Sequence, residues 1–201
     1  MTSTAMKAMR GGKASERKPR HPKDFYPTPP EAIRALLQQE RARLYGHTIW
    51  EPACGDGAMV TEIRAAGFRC FASDVADRSC PDSASPVDYF KVQRSPGQAI
   101  ITNPPYILAN GARGASWIRH AIGMPGWSYM ALLLNAEWDR SQKVRALLKE
   151  APYSYRWDLG WRIDWDGRGR PSTWHSWFVW DPGSVERMHV RFMPRPQEHP
   201  S

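Results

Sequence analysis

The sequence predicts an α/β protein built on a doubly wound, mostly parallel sheet. Between residues 30 and 152, short apolar runs of strand length alternate with stretches whose apolar residues recur at helical spacing. One connection from strand to helix passes through a glycine-bearing turn, which is typical of the ligand-binding edge of such a sheet. In the last quarter two strand patterns follow each other without a helix, so we expect them to pair antiparallel.

Composition limits the class of protein. The chain has 201 residues and a mass of 22.9 kDa, which predicts one domain. Its net charge of +8 suits a nucleic acid partner, although a basic tail alone would also give this charge. The three cysteines show no metal or disulfide spacing, so we expect a reducing cytoplasm and no metal. No apolar run or signal-peptide pattern predicts a membrane span or secretion.

The chain divides into three parts. Residues 1–23 contain seven Lys and Arg residues among Gly, Ser and Pro, which predicts a disordered basic arm with a non-specific role in binding phosphates. Residues 24–182 form the predicted domain. Residues 183–201 are proline-rich, and we expect a little-structured tail there.

The first helix has a defined start. Thr28 is followed by Pro29 and by Glu31, a pattern that predicts a capping box with proline at the first helical position. Phe25 and Tyr26 precede it on a rigid extended turn, where they could cover a ligand or act as a hydrophobic staple.

The glycine-bearing turn, residues 51–57, follows a predicted strand that begins at Thr48. Its glycines are too few for the dinucleotide-binding pattern, and acidic side chains would repel a pyrophosphate. Glu51 and Asp56 instead suit a cofactor with positive charge, such as the ammonium and sulfonium groups of S-adenosylmethionine. The alternative is an ordinary tight turn whose acids face solvent.

Two acidic positions further along are candidates for the rest of that cofactor. Asp74 ends the next predicted strand, where a carboxylate can accept hydrogen bonds from ribose hydroxyls. Asp88 and Phe90 could form the wall of an adenine pocket, with the acid toward the exocyclic amine and the ring against the base. A solvent-facing loop carboxylate is the alternative for Asp74.

The residues Asn103-Pro104-Pro105-Tyr106 close the apolar run 99–102, because neither proline can donate to a ladder. The Asn103 side-chain oxygen and the Pro104 carbonyl are two acceptors held close together, so they can bind both protons of a planar amine. Tyr106 would stack on the ring that bears the amine. A plain turn after a strand is the simpler interpretation.

The loop between the last two predicted strands is basic and aromatic. Trp165 and Trp174 flank Arg168 and Arg170, an arrangement that could hold an unstacked base and its phosphates. Burial in the core is the alternative for these tryptophans.

Taken in this order, the motifs resemble those of the S-adenosylmethionine-dependent DNA N6-adenine amino-methyltransferases, and more narrowly the small phage-type members, over residues 24–182. The resemblance implies a Rossmann-like class I methyltransferase fold with a seven-stranded, mostly parallel sheet and an antiparallel last strand. The motifs that carry it are Phe25-Tyr26-Pro27-Thr28-Pro29, Glu51-Pro52-Ala53-Cys54-Gly55-Asp56-Gly57, Asp74, Asp88-Tyr89-Phe90 and Asn103-Pro104-Pro105-Tyr106.

The resemblance also implies roles. Tyr26 and Thr28 would line the methionine end of the cofactor, and Asp74 its ribose. The amino-acid moiety would lie on the turn formed by Glu51, Pro52, Ala53, Cys54, Gly55, Asp56 and Gly57, and the adenine on Asp88 and Phe90. The catalytic residues would be Asn103, Pro104, Pro105 and Tyr106, acting on an adenine flipped out of double-stranded DNA, with Trp165 or Trp174 on its second face.

Several alternatives stay open at this stage. The only internal segments available for target recognition are the Asp164 to Ser172 loop and a turn at 110–113, so the enzyme would read a short site, have relaxed specificity, or borrow surface from a second subunit as a homodimer. RNA adenine and a protein glutamine amide also offer a planar amine, and the 25–29 segment with the basic loops favours DNA. A non-enzymatic binding protein is the third possibility. A role in restriction-modification or in a phage is equally open.

Overall fold

The structure is a computed structural model, and it describes residues 27–110, 115–169 and 171–196. The helices are α1 Pro30–Gln39, α2 Arg41–Leu44, α3 Ala58–Ala65, α4 Tyr106–Ala109, α5 Ser116–Gly123 and α6 Gln142–Glu150. The strands are β1 Thr48–Glu51, β2 Arg69–Ala72, β3 Ala99–Thr102, β4 Tyr129–Asn135, β5 Tyr155–Leu159, β6 His175–Trp180 and β7 His189–Met193. Short 3-10 turns form at Tyr89–Lys91 and Trp138–Arg140.

The strands form one seven-stranded sheet in the order β2-β1-β3-β4-β6-β5-β7. Strands β1 to β4 pair in parallel, and β6 runs antiparallel to both of its neighbours, β4 and β5. The predicted α/β class and the antiparallel pairing of the two late strands are therefore confirmed.

The chain end differs from the prediction. The antiparallel strand is β6, and the last strand is β7, which pairs in parallel with β5 at the sheet edge. The expectation of a little-structured tail over 183–201 is therefore wrong for His189–Met193. Alternation along β7 is inverted, because Val190 and Phe192 face solvent while Arg191 lies over the Tyr155 ring, 3.8 Å from its centroid. An apolar pattern with its apolar side outward hides a strand from sequence analysis.

Helices cover both faces of the sheet. Ile33 and Leu36 of α1 pack with Ile63 of α3 against one face, and Trp117 of α5 packs with Val144 of α6 against the other. The alternating strand residues Ile100 and Ile101 of β3 are fully buried, each contributing to a different face. Because both faces are covered, the crevice that remains open lies at the strand ends.

Helix α1 begins at Pro30 without a side-chain cap, so the predicted capping box is wrong. The Thr28 hydroxyl has a tertiary partner instead, described below. Within the described residues no helix is both long and apolar enough to cross a membrane. The predicted basic arm, Phe25, Tyr26 and Arg170 lie outside the described residues.

Candidate active site

Asn103 directly follows β3 and is held by the segment that leads into α1. Its Nδ2 donates to the Thr28 hydroxyl at 3.2 Å, and Thr28 is itself buried. Its Oδ1 is buried, and no group in the described ranges donates a hydrogen bond to it. A buried acceptor without a donor is costly, so this oxygen is available to a donor from a ligand or a water molecule. The two prolines follow, Pro104 buried and Pro105 exposed.

A row of three aromatic side chains lies at the carboxyl ends of β3 and β4, where Asn103 also lies. The Tyr106 ring, at the start of α4, lies 6.3 Å from the His175 ring, and the His175 ring lies 5.1 Å from that of Trp165 in an edge-to-face arrangement. His175 is the first residue of β6 and pairs with Asn135 at the end of β4. Because β6 runs antiparallel to β4, its first residues lie at the carboxyl ends of β3 and β4.

Sequence analysis did not single out His175. The available signal is its place as the polar residue immediately before an apolar strand. The predicted antiparallel direction of this strand would place its first residue at the carboxyl ends of the parallel strands, and this direction is the signal that could have identified His175.

The glycine-bearing turn docks onto the end of β2. The Cys54 N–H donates to the Ser73 carbonyl at 3.0 Å, and Asp56 Oδ1 accepts the Ala58 N–H at the start of α3 at 3.1 Å. Gly57 has a φ of +91°, and a Cβ there would lie 2.9 Å from the Cys80 Sγ. The positive φ favours glycine at this position, and a Cβ there would also require the Cys80 Sγ to move.

Glu51 is a buried carboxylate at the end of β1. Its Oε1 accepts hydrogen bonds from the Thr102 hydroxyl at 2.5 Å and from the Ala53 N–H at 3.0 Å. Its Oε2 is buried and receives no hydrogen bond from the part of the chain that the structure describes. Burial raises the pKa of Glu51 to about 8, although both hydrogen bonds oppose this change. An unsatisfied buried carboxylate oxygen fits a cationic ligand group.

Asp74 braces the turn from the other side. Its Oδ2 accepts the Gly55 N–H and its Oδ1 the Ala76 N–H, each at 3.0 Å. Its carbonyl accepts the Val87 N–H at 2.7 Å, which places Asp88 next to it in the structure. The two acids predicted to bind ribose and adenine are therefore neighbours, and each Asp74 oxygen keeps a second lone pair for a ligand.

The predicted adenine wall is a 3-10 turn. Asp88 is exposed and caps this turn by accepting the Phe90 N–H at 3.0 Å. Phe90 is exposed, with its ring 5.5 Å from that of His120. Tyr89, between them, is buried and stacks on Trp117 with ring centroids 4.3 Å apart. Tyr89 therefore anchors the turn in the core and leaves its two neighbours outside.

The structure separates the two tryptophans that the sequence left as alternatives. Trp165 belongs to the aromatic row, whereas Trp174 is exposed and lies under the Arg162 guanidinium, 4.8 Å from the ring centroid. Arg168 is exposed in the same loop and lies 3.6 Å from an Asp166 carboxylate oxygen. The Gly169 N–H donates to Asp164 at 2.7 Å and lowers the pKa of that acid.

Comparison of the sequence with protein-family models and with curated proteins gives no match. Solved structures with the same fold do match. A candidate RNA methyltransferase from Pyrococcus horikoshii aligns with a TM-score of 0.59 at 12% identity, over 84% of this chain and 91% of that one. The chain has the class I methyltransferase fold.

Two further structures extend this fold comparison. Magnesium protoporphyrin IX methyltransferase from Synechocystis PCC 6803, solved with bound S-adenosylmethionine, has a TM-score of 0.53 at 12% identity, over 75% of this chain and 77% of that one. The modification subunit of a candidate type I restriction enzyme from Vibrio vulnificus has a TM-score of 0.52 at 13% identity, over 90% of this chain and 49% of that one. Such low identities describe a shared fold.

Proposed function

We propose that this protein transfers the methyl group of S-adenosylmethionine to the N6 amine of adenine in double-stranded DNA, at a short or relaxed target sequence. The observation that carries this proposal is the Asn103 amide. Its nitrogen is held by Thr28 while its buried oxygen has no donor within the described residues. An acceptor held in this way can receive a proton of a planar amine, and the neighbouring Pro104 carbonyl can receive the second.

These two acceptors change the reactivity of the amine. The lone pair of an amine on an aromatic ring is delocalised, which makes the nitrogen a poor nucleophile. Hydrogen bonds from both amine protons to Asn103 and Pro104 favour a pyramidal nitrogen with its lone pair available for attack. Tyr106 and Trp165 orient the base that carries it.

The turn side of the site fits the cofactor. When bound, S-adenosylmethionine supplies a methyl group on a sulfonium, which is a good leaving group. The unsatisfied Glu51 Oε2 suits the cofactor ammonium, and Asp74 retains acceptor capacity for ribose hydroxyls. The amine loses its proton after it has accepted the methyl group, because only then is the nitrogen cationic and acidic. The site therefore needs orientation more than a strong base.

Positive charge supports a nucleic acid substrate, and the order of the motifs favours DNA. The chain carries a net charge of +8, and exposed Arg162 and Arg168 lie in the loop beside the aromatic row. The structures that share the fold include both a candidate RNA methyltransferase and a restriction enzyme subunit, so RNA adenine is the alternative to be tested.

The experiment uses the full chain with tritiated S-adenosylmethionine and unmethylated duplex DNA, RNA or protein in parallel. We expect label in DNA, and a loss of at least about 100-fold in Asn103→Ala with cofactor affinity nearly unchanged. Gln39→Ala is the matched control, since it removes an exposed amide from α1 and should be fully active. Label in RNA or protein instead of DNA would refute the substrate, and no transfer despite cofactor binding would refute the enzyme.

A further inference from the structure

Trp174 is a large apolar side chain that stays 46% exposed beside the candidate active site. Its backbone is fixed, because its carbonyl accepts the Ala136 N–H at 3.0 Å and so continues the β4–β6 ladder one step past the Asn135–His175 pair. The indole is therefore exposed to solvent, while its backbone is fixed by a hydrogen bond to the neighbouring strand.

Trp174 lies outside the aromatic row. Trp165 packs against the buried cluster that contains Trp177 and Val179, and its ring lies 5.1 Å from that of His175. The Trp174 ring lies under the Arg162 guanidinium and is exposed to solvent. Trp165 and Trp174 therefore have different surroundings.

Trp174 has a positively charged neighbour. The Arg162 guanidinium lies 4.8 Å from the ring centroid, and in the described ranges Arg162 forms no ion pair. An indole next to a guanidinium group without an acidic partner has the features of a stacking position for a base with a phosphate beside it.

We propose that Trp174 and Arg162 form a stacking platform for the DNA duplex, in which the indole stacks on the base that is left unpaired when the target adenine is extruded and Arg162 binds a flanking phosphate. The inference rests on the proposed function, which requires extrusion because a stacked adenine cannot reach Asn103. Trp165 acts inside the pocket, and Trp174 acts on the duplex that the adenine has left.

The test compares three DNA substrates that contain the same target: a paired duplex, a duplex with an abasic site opposite the adenine, and a single strand. Only the paired duplex leaves an unpaired base after extrusion. Trp174→Ala should lower kcat/KM on it about tenfold to 100-fold, as expected for stacking on one base. The other two substrates should be affected less than about threefold, and Trp174→Phe should restore most of the duplex activity.

Controls separate the possible failures. Trp165→Ala should reduce transfer to all three substrates, since it acts in the pocket. Tyr45→Ala removes an aromatic ring that is 86% exposed and lies at the end of α2, shortly before β1 begins. This variant should not change transfer to any of the three substrates. Equal losses on all three substrates in Trp174→Ala, or no loss on the duplex, would overturn the platform. Absence of transfer to any DNA by the unmodified protein would overturn the proposed function and the platform together.

Discussion

In the structure the Asn103 amide turns its nitrogen toward Thr28 and its oxygen away from it. An amide can turn over and exchange its oxygen and nitrogen, and only the oxygen can accept an amine proton. With Nδ2 bound to the Thr28 hydroxyl, the oxygen is left for the ligand. We therefore infer that Thr28 positions Asn103, in addition to its expected place near the cofactor.

Replacing Thr28 with valine tests this role. Valine has almost the same shape but no acceptor, so we expect kcat to fall about tenfold to 100-fold while cofactor Kd changes less than about threefold. Thr28→Ser keeps the hydroxyl and should retain most of the activity. Steady-state kinetics and calorimetry measure the two quantities. A valine variant with normal kcat would show that the hydrogen bond does not orient Asn103.

The proposed role of Glu51 predicts that cofactor binding depends on pH. Burial raises its pKa from the ordinary value of 4.5 to about 8, so near neutral pH it is mostly protonated before the cofactor binds. A cofactor ammonium favours the carboxylate, so binding should release up to one proton. Between pH 5.5 and 7.5, affinity should rise by up to about tenfold per pH unit. Calorimetry in two buffers with different ionisation enthalpies measures the proton release.

Glu51→Gln should bind the cofactor more weakly and lose this pH dependence. The same linkage predicts that, without cofactor, the free energy of unfolding falls as pH rises from about 4.5 to about 8, because only the folded state favours the proton. This slope should be absent in the glutamine variant. An affinity independent of pH in the unmodified protein would refute a role for this carboxylate in binding a cation.

At the scale of elements, a buried carboxylate fastens the end of α1 to the far edge of the sheet. Glu40 accepts hydrogen bonds from the Tyr155 hydroxyl at 2.9 Å and from the Trp157 indole at 2.6 Å. Arg43 and Arg191 approach the same carboxylate at 3.5 and 3.8 Å. The contact joins the carboxyl end of α1 to β5 and β7. Thr28 lies just before the other end of the same helix.

Glu40→Ala should therefore lower the free energy of unfolding by about 3 to 5 kcal/mol, since it leaves buried donors and charge without a partner. Glu150→Ala is the matched control, because its ion pair with Arg119 is exposed and such pairs contribute about 0 to 1 kcal/mol. Denaturant titration followed by tryptophan fluorescence measures both. Equal stability of the two variants would contradict the proposed fastening.

The elements also show where sequence analysis reaches its limit. Strands β1, β3 and β4 were predictable because their residues are buried on both faces and form continuous apolar runs. Strand β7 was not, since Arg191 faces the protein and Phe192 faces solvent. Thr28 has a helix-capping sequence but binds Asn103, because a tertiary partner replaced the local one. The place of His175 in the site follows from the antiparallel direction of β6, which brings this residue to the carboxyl end of β4.

At the scale of the whole molecule, positive charge should govern DNA affinity. Seven of the 28 Lys and Arg residues lie in residues 1–23. Deleting that segment should weaken DNA binding at low salt and reduce the dependence of log K on log salt, by up to about 0.9 for each DNA phosphate that the segment neutralises. Cofactor affinity should not change. A deletion variant with an unaltered salt slope would show that these residues do not bind DNA phosphates.

We propose that the Asn103 oxygen directs methyl transfer to the N6 atom of adenine in DNA. The most direct measurement is mass spectrometry of nucleosides from unmethylated duplex DNA treated with the protein and methyl-labelled S-adenosylmethionine, with Asn103→Ala and Gln39→Ala alongside. We predict labelled N6-methyl-2′-deoxyadenosine from the unmodified protein and from Gln39→Ala, and almost none from Asn103→Ala. Label on cytosine, or the same yield of methyladenine from Asn103→Ala, would contradict the claim.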